Sequence, residues 1–273
     1  VDALDFREKA PEKSDKDMYL DAEGNAITDL SLYGQLAAGV PGTVAGMVAA
    51  HEKYGSMDWK VLVAPAIKLA KEGFQITSMQ AEEFNKHQEL FSKLNVDGAA
   101  IIRNEAWKEG DIFQQPELAS TLERVANDGR DGFYRGETAD HIVKEMQRGN
   151  GIMSKEDLEN YEAVWRKPVE GMYRGHRVIS MPPPSSGGAA LIALLQSVEL
   201  YPLTDWGFQS DSAVRVIVEA ERRIYADRAT HMGDPDFHRV PLKELMDNDR
   251  NKSRMKAINF AKATPSSEVL ASK

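Results

Sequence analysis

Met181-Pro182-Pro183-Pro184-Ser185-Ser186-Gly187-Gly188, running into the apolar segment Ala189–Leu200, is the stretch on which the reading of the fold turns. The consecutive prolines bar regular structure, because each lacks an N–H and fixes its own φ. The Ser/Gly turn after them places the N-terminus of a helix there, so the segment reads as a rigid loop followed by a buried helix. Upstream, Val164 to Met181 carries aromatic and β-branched residues in near alternation, the pattern of strands. Two strands are expected, Val164–Tyr173 and His176–Met181, with Arg174-Gly175 as the hairpin turn. Strands, loop and helix in this order call for a mixed α/β fold.

Toward the N-terminus, Val1–Phe6 reads as a short strand and the Lys-, Asp- and Glu-rich Arg7–Asp29 as a surface loop. Gly39-Val40-Pro41-Gly42-Thr43 is a turn opening a helix in which Val44, Met47, Val48 and His51 fall at helical spacing until Gly55. Further helical patterns cover Trp59–Glu72, Ser78–Leu94, Pro116–Asp128 and Thr138–Gly149, and Met153–Leu158 holds a serine-capped start. Beyond the proline loop, a long helix from Ser212 to about Met232 leads to the turn Gly233-Asp234-Pro235-Asp236 and a polar tail ending at Lys273. No internal repeat or low-complexity linker divides the chain, so a single domain over 1–273 is expected.

The 273 residues carry 34 Lys plus Arg against 43 Asp plus Glu, a formal charge of −9, which argues against a nucleic-acid backbone as partner. With 42% hydrophobic and 28% charged residues the chain has an ordinary globular composition. The longest apolar run at the best candidate, Ala189–Leu195, is seven residues, far below the roughly 18–20 that a membrane helix needs. The absence of cysteine excludes disulfides, thiol catalysis and zinc–thiolate sites. The sequence opens at Val1 without a Met or an apolar signal region, and the chain reads as a piece of something longer.

Several constellations carry chemistry on paper, and each has a bland counterpart. Ser185 and Ser186 precede two glycines at a helix start, where backbone N–H groups could hold an oxyanion. The G-x-S-x-G elbow fails because Pro184 stands two before Ser186, which leaves a serine N-cap with glycines that allow close packing. Asp227, His231, Asp234, Asp236 and His238 crowd into twelve residues, with Asp227 and His231 spaced i, i+4 as metal ligands can be. The same helix also carries Glu219, Glu221, Arg222, Arg223 and Arg228, and solvated ion pairs, Arg223 with Asp227 among them, together with an Asp-Pro turn account for these residues without a metal. Gly39, Gly42 and Gly46 lack both the G-x-G-x-x-G spacing and a following Lys-Ser/Thr pair, so a tight turn and helix packing are expected there. Arg7, between Phe6 and Glu8, would on spacing alone be a surface ion-pair residue.

Taken together, five blocks resemble the gamma-glutamyltransferases, also called gamma-glutamyl transpeptidases. They are Leu4–Pro11 (LDFREKAP), Gly39–Gly46 (GVPGTVAG), Met181–Gly188 (MPPPSSGG), Tyr225–Arg228 with Gly233–Phe237 (YADR and GDPDF), and Lys262–Glu268 (KATPSSE). The resemblance implies an N-terminal-nucleophile hydrolase with a four-layer αββα sandwich, its two central sheets shared between a large and a small subunit cut from one precursor. It casts this chain as the large subunit, lacking an upstream portion and acting only with the small subunit, whose N-terminal threonine would attack the gamma-glutamyl amide. No catalytic residue is then expected in this chain. Thr264 is no substitute, because it precedes Pro265 inside the chain, whereas such a nucleophile uses its own free α-amino group as base.

By the same resemblance Arg7 pairs the α-carboxylate of the gamma-glutamyl group, a task suited to the two parallel donors of a guanidinium. The substrates implied are glutathione and related compounds, with water, amino acids or peptides as acceptors. No cofactor or metal enters this reading, and it implies a periplasmic or secreted location. A rival in the same fold is a beta-lactam side-chain (glutaryl) acylase, against which Arg7 argues, since a glutaryl group has no α-carboxylate. A rival of another class is a non-catalytic scaffold or amino-acid-binding protein.

Overall fold

The computed structural model describes residues 1–95 and 98–272, and Lys273, where the predicted tail ends, lies outside them. The chain groups into two compact units, one of Leu4–Val164 and one of Val1–Ala3 with Trp165–Lys273.

The chain opens with strand β1 (Ala3–Asp5), after which the first unit is built from α1 (Thr28–Leu32), α2 (Thr43–Tyr54), α3 (Trp59–Glu72) and α4 (Ser78–Leu94). These are followed by α5 (Pro116–Asp128), α6 (Asp131–Tyr134), α7 (Gly136–Arg148) and α8 (Lys155–Glu159). Two short strands, β2 (Phe74–Gln75) and β3 (Ile112–Phe113), pair antiparallel. The helix ends follow capping chemistry. Asp58 accepts from the Lys60 amide at 2.8 Å ahead of α3, Thr77 and Gln80 cap α4 reciprocally, and Ser154 and Asp157 do the same for α8. Gly73, at φ +80°, ends α3 in a conformation that favours glycine. One core cluster joins Val40, Ala45, Tyr134, Ala139, Met153, Leu158 and Tyr161, and a second joins Ile76, Ala81, Trp107 and Phe113.

β4 (Val164–Arg166) leads into the second unit, made of β5 (Val169–Tyr173), β6 (His176–Ser180), α9 (Gly187–Val198) and α10 (Leu203–Trp206), then α11 (Asp211–His231), α12 (Leu242–Leu245) and α13 (Asn248–Arg254). The strand expected over Val164–Tyr173 is broken in two around Lys167-Pro168, where the proline has no N–H to give a ladder. The hairpin β5–β6 pairs Tyr173 with His176 and Val169 with Ser180. Its two-residue turn puts Arg174 at φ +46° and Gly175 at φ +79°, both positive as a type I′ turn requires.

α9 lies against this hairpin at two glycines. A Cβ on Gly188 would stand 2.1 Å from the Met181 carbonyl oxygen, and one on Gly171 would stand 2.4 Å from Ile192 Cγ2. On α11, Ala213, Val216, Ala220 and Ile224 form the buried stripe of an amphipathic helix, the last three packed with Ala193 and Met255. The polar tail expected after Met232 is partly wrong. Asn251 and Met255 are buried at 2% and 1% exposure, because α13 packs against α9 and Asn251 donates to Gln196 at 2.8 Å and to the Leu245 carbonyl at 3.0 Å.

The two neighbouring glycines at the start of α9 are expected to behave differently. Gly188→Ala forces backbone against backbone and should lower unfolding stability by about 1–3 kcal/mol, whereas Gly187→Ala, whose Cβ meets only Ser185 Oγ at 3.4 Å, should be neutral or slightly stabilising. Urea unfolding of both variants in the mature protein checks this.

Candidate functional site

Arg7 is fixed at its backbone and open at its guanidinium. Its amide donates to Asp5 Oδ1 at 3.2 Å, and its carbonyl accepts from the Tyr161 hydroxyl at 2.7 Å. Two residues on, Lys9 and Val40 exchange backbone hydrogen bonds of 3.1 and 2.8 Å, and Lys9 Nζ donates to the Glu162 carbonyl at 3.2 Å. The segment lies on the start of α2 so closely that only glycine fits. A Cβ on Gly42 would be 2.0 Å from the Tyr161 hydroxyl and 2.1 Å from the Phe6 carbonyl, and one on Gly46 would be 2.2 Å from the Phe6 ring. The Arg7 side chain is 57% exposed, and its ion-pair neighbour is Glu8 at 3.8 Å, a distance too long to occupy its donors.

Beneath that segment Tyr161 stacks nearly parallel on Tyr134, ring centroids 5.7 Å apart. Tyr134 donates to the Pro41 carbonyl at 2.7 Å and accepts from the Ala45 amide at 3.3 Å. Burial, then the nearby Tyr134, Asp5 and Glu8, push the Tyr161 phenol up to about 12, so it stays protonated and keeps donating. Sequence reasoning passed over both tyrosines. The available signal was an aromatic residue among the charged Glu159–Glu162, where a solvated loop has little use for one.

Ser186 stands at the N-cap position of α9 but does not cap it with its side chain. Its Oγ accepts instead from Arg228 Nε at 2.8 Å, which ties the loop to α11, and the Pro183–Pro184 peptide is cis. The hollow between α9 and α11 at this point holds about 20 Å³, room for about one water molecule. A wider apolar hollow of about 620 Å³, lined by Val44, Met47, Tyr54, Trp59 and Leu62 among others, also takes in His51, whose Nε2 is bonded to the Met57 carbonyl at 2.7 Å. Neither hollow is built for a charged substrate.

In the charge cluster on and just after α11, Glu219 and Asp227 are buried, whereas Glu221, Arg228, Asp234, Asp236 and His238 are exposed, and the buried carboxylates are paired differently from the sequence reading. Glu219, Arg223, Asp227 and His231 recur every four residues along one face. Arg223 bonds Glu219 rather than Asp227, and Asp227 is held by Arg254 and by Arg250 at 2.6 Å. The tail runs along this face. Thr264 N donates to Glu219 at 2.8 Å, the Thr264 carbonyl accepts from Arg222 at 2.7 Å, and Ser272 N donates to Asp227 at 2.8 Å. The His231 ring nitrogen meets the Ser272 carbonyl at 2.7 Å. Arg250 and Arg254 were hidden in what read as a polar tail, although their i, i+4 spacing flanking Asn251 and ahead of Met255 is that of one helix face. Among the described residues no group of three or more His, Asp or Glu is arranged to hold a metal ion. Nor is any described helix long and apolar enough to cross a membrane.

This architecture is shared with known proteins. The Gamma-glutamyltranspeptidase family model matches residues 1–273, and the chain belongs to that family. The glutathione hydrolase proenzyme of Escherichia coli (strain K12) is 43% identical over 98% of this chain and 46% of its own length, so the chain spans about half of that relative. The crystal structure of Helicobacter pylori gamma-glutamyltranspeptidase superposes with a TM-score of 0.95 at 44% identity, covering 98% of this chain and 77% of that one. Gamma-glutamyltranspeptidase from Pseudomonas nitroreducens, complexed with L-DON, superposes with a TM-score of 0.91 at 37% identity, covering 98% and 80%. The mixed α/β fold and the family expected from the sequence are therefore those of this chain.

Glu219 makes the tail sensitive to acid. Burial works to raise its carboxyl, but the hydrogen bonds from Arg223 and Thr264 outweigh it and hold the group at about 2, below the ordinary 4.5. A depressed carboxylate contributes stability that is complete above its unfolded value and is lost as pH falls toward the folded one. Protection of the Thr264 amide from hydrogen exchange is therefore expected to fall between about pH 4.5 and 2, with the fall abolished in Glu219→Gln.

Proposed function

We propose that this chain is the large-subunit part of a gamma-glutamyltransferase, and that with a small subunit from the same precursor it moves the gamma-glutamyl group of glutathione or related compounds to water, amino acids or peptides. The observation that carries the reading is the state of Arg7: backbone clamped on both sides, guanidinium exposed with its donors open. Such a group meets a carboxylate with two parallel charge-assisted bonds and sets the distance from that carboxylate to the amide to be cleaved.

The nucleophile is assigned to the small subunit. Thr264 is tied up at its amide by Glu219, at its carbonyl by Arg222 and at its hydroxyl by Arg223 (3.3 Å), and it has no free amine. In the reaction envisaged, the partner's N-terminal threonine hydroxyl passes its proton to its own amine and adds to the γ-carbonyl. The amide C–N bond breaks as the leaving amine takes that proton, and water or an acceptor amine then cleaves the resulting ester. Arg7 holds the donor's α-carboxylate through both halves. The sheets left short here, each of two strands, are to be completed by strands of the partner in the four-layer αββα sandwich. A periplasmic or secreted location goes with this reading.

Arg7→Lys keeps one charge and loses the paired geometry, so the mature enzyme should retain its fold while kcat/KM for a gamma-glutamyl anilide falls roughly 30- to 1000-fold, about 2–4 kcal/mol. Values within twofold of the parent would remove Arg7 from the site. Residues 1–273 expressed alone should release no anilide, whereas the full precursor should yield active two-chain enzyme; turnover by the isolated chain would place the nucleophile inside it.

A further inference from the structure

Tyr161 is hydrogen-bonded to the backbone of Arg7, whose guanidinium is exposed, and none of the chemistry above requires it. The side chain is 2% exposed, and its hydroxyl is spent on a single backbone atom, the Arg7 carbonyl, at 2.7 Å. A buried phenol needs an acceptor, so this bond is strongly specified, and the stack on Tyr134 fixes the ring from which it is made. From the other side Gly42 brings the start of α2 against both the Tyr161 hydroxyl and the Phe6 carbonyl, leaving the peptide before Arg7 no room to shift. The long arginine side chain acts as a lever, because a small rotation of the backbone at Arg7 moves its guanidinium much further. A fork that must present two donors to one carboxylate tolerates little of that motion.

We propose that Tyr161 is a positioning residue for substrate carboxylate recognition: its buried hydroxyl locks the Arg7 backbone so that the exposed guanidinium faces the donor substrate in one orientation. This rests on the reading of Arg7 as the carboxylate ligand. Tyr161 touches no reacting atom, so its contribution falls on binding of the donor and not on the bond-making steps.

The test is a double-mutant cycle in the mature two-chain enzyme, made from the full precursor and assayed with a gamma-glutamyl anilide. Tyr161→Phe keeps the stacked ring and should raise KM about five- to tenfold with kcat within twofold. On an Arg7→Lys background the same substitution should change KM less than twofold, because the orientation it protects is already lost. Tyr134→Phe is the structural control. Its hydroxyl serves the Pro41 carbonyl and the Ala45 amide, so it should cost comparable thermal stability and leave KM within twofold. An equal factor from Tyr161→Phe in both backgrounds, an equal rise from Tyr134→Phe, or a Tyr161→Phe precursor that yields no folded enzyme would each overturn the positioning role. If Arg7→Lys alone is silent, the reading of Arg7 fails first, and the positioning role falls with it.

Discussion

A carboxylate taken out of water must be met by cations and amides, and α11 buries two of them, Glu219 at 2% and Asp227 at 4% exposure. The second unit is organised by that demand. Arg223 and Arg222 come from the same helix, whereas Arg250 and Arg254 are delivered by α13, which must therefore dock where Asn251 and Met255 enter the core. The remaining oxygen lone pairs are filled by the backbone of the tail, at Thr264 and Ser272. Removing one partner would strand a buried charge at a cost of several kcal/mol, so helix, docking helix and tail stand or fall together. The tail owes its course to these polar ties more than to apolar burial, since Leu270 is left 70% exposed.

Arg7 inverts this logic. The guanidinia of Arg222, Arg223, Arg250 and Arg254 are consumed by structure, while that of Arg7 is left to solvent and the structural bonds are made by its backbone. A cation whose donors are already satisfied has little to offer a ligand, and one on a loose chain spends ordering entropy on binding. Anchoring the main chain and freeing the side chain avoids both losses. The anchor consists of contacts between segments far apart in sequence: a phenol under a carbonyl, two glycines against Phe6, and an isolated bridge between Lys9 and Val40. The surface loop expected over Arg7–Asp29 is thus pinned at its first residues.

Elements with strong local signals were legible residue by residue. The helices over Trp59–Glu72, Ser78–Leu94 and Pro116–Asp128 end where capping residues and glycine end them, and the Arg174-Gly175 turn joins the two strands it was expected to join. The glycines near α2 were read as packing glycines, and the Cβ positions at Gly42 and Gly46 show what they pack against. Family membership was legible because five separated motifs keep their order, which no single helix pattern could supply.

Local chemistry therefore determined the elements, the turn and the membership of the chain. The tertiary structure alone decided how polar groups are spent: Asp227 on Arg250 and Arg254 and not on Arg223, Ser186 on Arg228 and not on its own helix, Tyr161 on Arg7 across 154 positions of sequence. Spacing along a helix shows which side chains can meet, but a buried charge or hydroxyl takes the partner that desolvation and distance favour, and that partner comes from wherever the chain returns.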